Sequence, residues 1–116
     1  MNDDMIYLKV SDYSLEPFGR YVSDGDGNGE TFRKNYIIPA IRSGKKISIL
    51  LDGVNDEYGS SFLVEAFANL IRKENIDYSE IKNKIFFISK NSGLLDEIDY
   101  YLLEANREKH EKMLRS

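Results

Sequence analysis

Two short apolar runs, Ile47–Leu51 and Ile85–Ser89, flank a stretch in which Phe62, Leu63, Ala66, Phe67, Leu70 and Ile71 recur at helical spacing. Each run is too short for a helix and is rich in Ile and Phe, so both predict buried strands. The stretch between them predicts an amphipathic helix, with Glu65, Asn69, Arg72 and Lys73 on its polar side. A strand, a covering helix and a second strand leave few architectures open: the chain must build a sheet that buries its apolar side under helices.

The rest of the chain extends this pattern. Met5–Val10 reads as a first strand, ended by Ser11 and Asp12. An irregular stretch follows through Ser14, Pro17 and Gly19 to the run Asp24–Gly29, with a short strand expected around Arg20–Val22. From Glu30 onwards Phe32, Tyr36, Ile37, Ala40 and Ile41 follow a helical period. Pro39 lies inside that helix, so either the helix kinks there or residues 36–38 form its last regular turn. A turn or short helix near Tyr78–Ile81 introduces the later strand. Leu94, Leu95, Ile98, Leu102 and Ala105 then carry a final helix, which continues as a charged extension from about residue 107. Within that extension Glu108 precedes Lys112, and Glu111 precedes Arg115, at the four-residue spacing that supports a solvated helix. The expected class is α/β, a small sheet with helices mainly on one face, as a single domain over residues 1–116.

Composition narrows the chemistry. A formal net charge of −4 does not attract a polyanion over the whole surface, which disfavours general nucleic-acid binding. Without cysteine there are no disulfides, thiolate nucleophiles or cysteine-based zinc sites. His110, the single histidine, falls in the charged extension between Lys109 and Glu111 and reads as a surface residue, so triads and most transition-metal sites lack their parts. No apolar stretch approaches the roughly 20 residues that span a bilayer, and the start Met1, Asn2, Asp3, Asp4 has no secretion-signal pattern. The expectation is a cytoplasmic protein that acts by binding a partner, with no catalysis, cofactor or membrane contact.

Asp24, Asp26, Asn28 and Gly29 match the first half of a calcium loop, but the closing twelfth position is Asn35 and cannot supply a bidentate carboxylate. The same glycine-rich loop, opening a helix and flanked by Arg20 and Arg33, could instead hold an anion or nucleotide. Asp24, Asp26 and Glu30 oppose that. Asp12, Asp52 and Lys90 follow the three strands in a superficially receiver-like way, although an Asp ending a strand is more often a turn former. Asp52, Asp56 and Glu57 could serve magnesium, and equally could be solvated loop acids. Ser60 and Ser61 stand directly before Phe62, where one of them can cap the helix. A phosphate there would add about −1.5 to −2 charges at a helix N-terminus.

The pattern Phe18, Gly19, Arg20, Tyr21, Asp24, Gly25, Gly29, Glu30, Phe32 and Arg33 resembles a bacterial STAS-like domain family of unknown function, named for sulfate transporters and anti-sigma factor antagonists. The likeness continues through Ile47–Asp52 and through Tyr58, Gly59, Ser60, Ser61, Phe62, Leu63, Glu65, Ala66 and Phe67. It implies a STAS-like fold, a small mixed sheet with helices packed mainly on one face. In the anti-sigma factor antagonists a Ser at the start of the helix after the central strand is phosphorylated by an ATP-binding, histidine-kinase-like partner. Ser61, or its neighbour Ser60, stands in the similar place, within Gly59–Ser60–Ser61–Phe62 where the antagonists have Asp, Ser, Ser, Gly. The resemblance therefore implies a regulatory interaction module switched by serine phosphorylation. Arg20, Asp24, Gly25, Gly29, Glu30, Arg33, Asp52 and Tyr58 are candidate partner or anion contacts; Arg20 and Arg33 could equally pair with Asp24 or Glu30 to hold the loop.

Overall fold

The computed structural model describes residues 4–115. Three strands, β1 (Met5–Lys9), β2 (Lys46–Leu50) and β3 (Ile85–Ile88), form one sheet in the order β1-β2-β3. Both pairings are parallel, so the sheet implied to be mixed is parallel among the described residues. In register, Ile6, Ile47 and Ile85 share one row and Leu8, Ile49 and Phe87 another. These rows face the core.

Parallel neighbours need crossovers, and helices fill them. The first contains α1 (Val10–Tyr13) and α2 (residues 29–42); the second contains α3 (residues 60–72) and α4 (Tyr78–Lys84). The last element is α5 (Ser92–Arg115). Because the strands lie in sequence order, two crossovers of the same hand put their helices on the same face. The reverse face stays open, with Tyr7, Phe86 and Ile88 exposed on it. No described helix is long and apolar enough to cross a membrane.

The core is aromatic at its centre. Phe62 lies 5.9 Å from Phe32 and 6.2 Å from Phe67, whose ring meets Phe87 at 5.0 Å, linking α2, α3 and the sheet in one cluster. Ile98, Leu102 and Ala105 of α5 are buried against it. The charged extension is more than a solvated helix: Glu108 holds Arg72 of α3 at 2.7 Å and Lys109 pairs with Asp77.

Two local expectations change. No strand forms at Arg20–Val22, where a 3-10 turn, Val22–Asp24, stands instead. Pro39 does not end α2, which widens into a π turn over Arg33–Ile37 before continuing as Ile38–Arg42. Pro39 has no N–H to donate and its ring crowds the carbonyl four residues back, so a wider turn just before it relieves both demands. A second π turn, Val64–Ala68, lies in α3.

Candidate functional site

The segment from Ser14 to Asn28 has little secondary structure of its own, so its backbone amides need acceptors from elsewhere. Acidic side chains supply them. Asp24 Oδ2 accepts from the amides of Arg20 and Tyr21, both at 2.9 Å, and Glu30 Oε1 accepts from the amide of Val22 at 3.1 Å. Asn28 Oδ1 caps α2 by accepting from the Thr31 amide at 2.8 Å, while its Nδ2 donates to the Gly25 carbonyl at 2.9 Å. Gly25 closes the 3-10 turn at φ 106°, a conformation that favours glycine.

Asp24 and Glu30 thus hold the loop, but through backbone amides and not through the side chains of Arg20 and Arg33. The anion reading loses its donors in the same way: the amides of Gly29 and Glu30 donate to the carbonyls of Gly19 and Arg20. Arg20 lies 6.0 Å from the Tyr21 ring, and its buried Nε has no hydrogen-bond partner among the described residues.

Arg33 is 1% exposed and cannot reach a partner or a ligand at the surface. Its Nη1 donates to the Glu65 carbonyl and to Glu65 Oε2, the latter at 2.6 Å, and its Nε donates to Glu74 at 3.0 Å. Glu65 and Asn69, expected on the solvent side of α3, are buried as well. Gly29 explains how: a Cβ there would sit 2.7 Å from the Phe62 carbonyl and 3.1 Å from Glu65 Cβ, so only glycine lets α2 come this close. Burial pushes the Glu65 carboxyl up, but hydrogen bonds from Arg33 and Lys73 outweigh it and leave it below the ordinary range. Lys73 bridges Glu65 at 3.0 Å and also lies 5.3 Å from the Tyr21 ring, tying the loop to this buried pair.

Neither serine of the expected site caps α3. Gly59 is the cap residue, and Ser60 and Ser61 are the first two residues of the helix itself. Ser60 is exposed and Ser61 half-buried, and among the described residues neither hydroxyl makes a hydrogen bond. The loop and this helix start are joined: the Gly59 amide donates to the Pro17 carbonyl, the Asn55 amide to the Leu15 carbonyl, and Phe18 packs on Gly59. Leu15, Phe18, Tyr21 and Val22 all expose apolar surface on that loop. Sequence reading missed this patch, because exposed hydrophobic residues in an irregular stretch carry no periodicity.

Asp52 and Tyr58 lie at the carboxyl end of the sheet, beside a crevice of about 550 Å³. Asp52 accepts from the Ser89 hydroxyl at 2.6 Å and the Lys90 amide at 2.9 Å, which hold its carboxyl below the usual range. It ties the end of β2 to the end of β3, a link between strands in place of the local turn bond expected of it. The Tyr58 hydroxyl donates to the Leu51 carbonyl at 2.6 Å, and burial raises its pKa, with the nearby Asp52 charge adding to the effect.

The loop carries a pH prediction. The two backbone amides lower the pKa of Asp24, and the Lys34 ammonium and the Val22 amide lower that of Glu30. A carboxyl depressed in the folded state contributes stability that is present above its unfolded value and lost as pH falls through the folded one. The amide resonances of Arg20, Tyr21 and Val22 are therefore expected to hold their positions from neutral pH down to about 4, the ordinary carboxylate value, and to move together below it. Movement near pH 6 would contradict this assignment.

No curated protein and no solved structure matches the chain. A family model, described as a STAS-like domain of unknown function (DUF4325), matches residues 28–93, from the Asn28 cap through the Arg33–Glu65 pair, Ser60 and Ser61 to the start of α5. That span is more than half of the 116 residues, and the chain belongs to this STAS-like family.

Proposed function

We propose that this chain is a regulatory interaction module that docks a protein through the loop bearing Leu15, Phe18, Tyr21 and Val22 together with the first turn of α3, and that phosphorylation at Ser61 or Ser60 releases the partner. Membership of a STAS-like family suggests the coarse role. The observation that carries the finer reading is the pair of unbonded hydroxyls on the first turn of α3, next to the exposed apolar ring of Phe18. Such a surface gains affinity by burying apolar area.

A phosphate on that turn is compatible with the fold, because unpaired amides and the helix dipole favour negative charge there. It is incompatible with a dry interface. About −1.5 to −2 charges would have to be desolvated on docking. The partner expected to add the phosphate is a histidine-kinase-like ATPase. Binding and release, without catalysis by this chain, complete the reading.

Incubation with candidate kinases of that type and ATP, followed by mass spectrometry, is expected to place phosphate on Ser61 or Ser60. Ser61→Glu is expected to weaken partner binding about ten-fold or more, while Ser61→Ala leaves it intact. Two unmodified serines, with Ser60→Glu and Ser61→Glu both binding like wild type, would overturn the switch.

A further inference from the structure

Helix α5 has two seams. Ile98, Leu102 and Ala105 are buried on one side. On the other, Asp96, Tyr100, Leu103, Arg107, His110 and Leu114 are all exposed, at alternating steps of four and three residues. That spacing matches the facing positions of a helix pair, here with an apolar centre, Tyr100 and Leu103, bracketed by Asp96 and Arg107. Tyr100 is 60% exposed and Leu103 47%, with a shallow crevice of about 210 Å³ between Tyr100, Leu103, Glu104 and Arg107.

We infer that this stripe joins two copies of the chain as an antiparallel helix pair. The argument rests on the charges that bracket the apolar centre. Asp96 lies one turn before Tyr100 and Arg107 one turn after Leu103, and among the described residues neither belongs to an ion pair. In a parallel pair Asp96 would meet Asp96 and Arg107 would meet Arg107, repelling at both ends. With the helices antiparallel and Tyr100 opposite Leu103 of the second copy, Asp96 falls opposite Arg107 at each end. Sliding by one heptad sets Arg107 on Leu103 in one sense and Asp96 on Tyr100 in the other, and either sets a charge against the apolar centre. The sequence of the stripe thus selects one direction and one register. The flanking acids are engaged within the chain: the Tyr101 hydroxyl donates to Glu97 at 2.7 Å and the Tyr100 hydroxyl to Glu104 at 3.1 Å.

The open sheet face is another apolar surface, and it does not suit a second copy. Its strands hold Lys9 and Lys46 and no acid, so two such faces would meet with like charge. The α5 stripe uses none of the residues of the proposed docking loop and lies beyond the family-matched span.

Sedimentation equilibrium on the full chain tests the inference. Wild type is expected to dimerise, and Asp96→Arg and Arg107→Asp should each raise the dissociation constant about ten-fold or more, since both positions are exposed and the fold tolerates the change. The double variant Asp96→Arg/Arg107→Asp should recover the dimer, because the antiparallel register restores an opposite pair at each end. A parallel pair would meet like charges at both ends in wild type and in every variant, so it would respond to neither single reversal. A monomeric wild type, a dimer indifferent to both single reversals, or a double variant that fails to recover would each overturn the inference.

Discussion

Arg33→Met is expected to lower the free energy of unfolding by about 3–5 kcal/mol, a large share of what a domain of this size possesses. The loss comes less from the missing attraction than from what is left behind. Glu65 is fully buried, and with the guanidinium gone its charge is left to the half-exposed Lys73 and the neutral side chain of Asn69. The Glu65 carbonyl loses its donor at the same time. In wild type the Glu65 carboxyl is held below its ordinary value, so its contribution is present above about pH 4.3 and fades as pH falls further. In the variant the largest opposing influence is gone and desolvation weighs more heavily against Lys73 and Asn69, moving the carboxyl up, so the deficit relative to wild type should shrink as pH drops from 7 towards that value. Urea denaturation at several pH values measures both effects. Arg33→Met/Glu65→Met should regain much of the loss, because an apolar pair of similar volume needs no desolvation of charge. A single variant within about 1 kcal/mol of wild type at pH 7 would refute this account of the pair.

Helical periodicity does not reveal that pair. Sequence reading located β2 and β3 to within a residue, because Ile47–Leu51 and Ile85–Ser89 differ from their flanks in apolar content, and it placed α3 from the recurrence of Phe62, Phe67 and Ile71. Glu65 and Asn69 were assigned to water by the same periodicity. A helical period reports which side is apolar, and it is silent about a neighbour that brings its own charge into contact. Here the neighbour is α2, admitted by Gly29 and carrying Arg33 four residues on. The loop was misjudged for a related reason. Pairing Asp24 and Glu30 with Arg20 and Arg33 satisfies charge, but the loop's otherwise unpaired backbone amides take the carboxylates, while Arg33 finds its partners in Glu65 and Glu74. The serines shifted role by one residue: with Gly59 as cap, both hydroxyls fall inside the helix and are free.

The docking surface depends on the same crossing. The Phe62 carbonyl that Gly29 approaches belongs to the residue directly after Ser61, so the first turn of α3 is positioned by how closely α2 can sit. Any side chain at position 29 should therefore be read out twice, in stability and in partner binding.

Gly29→Val is expected to be at least as damaging as loss of the buried pair. Its Cβ would lie 2.7 Å from the Phe62 carbonyl oxygen and 3.1 Å from both the Ala66 nitrogen and Glu65 Cβ. Two of those atoms are backbone and cannot rotate away, so α2 and α3 must separate, opening the Phe32–Phe62 contact and lengthening the Arg33–Glu65 bonds together. Overpacking alone costs about 1–3 kcal/mol, and weakening a buried ion pair adds to it. Gly29→Ala separates the opposing effects. Alanine favours helix by at most about 1 kcal/mol, which sets a ceiling on any gain, while the same Cβ clash remains. If the crossing is as tight as the geometry states, Gly29→Ala should melt below wild type despite its better helix propensity, and Gly29→Val should melt lower still or fail to fold. Thermal unfolding followed by circular dichroism measures the order, and an alanine variant as stable as wild type would mean that α2 and α3 have room to spare at this point.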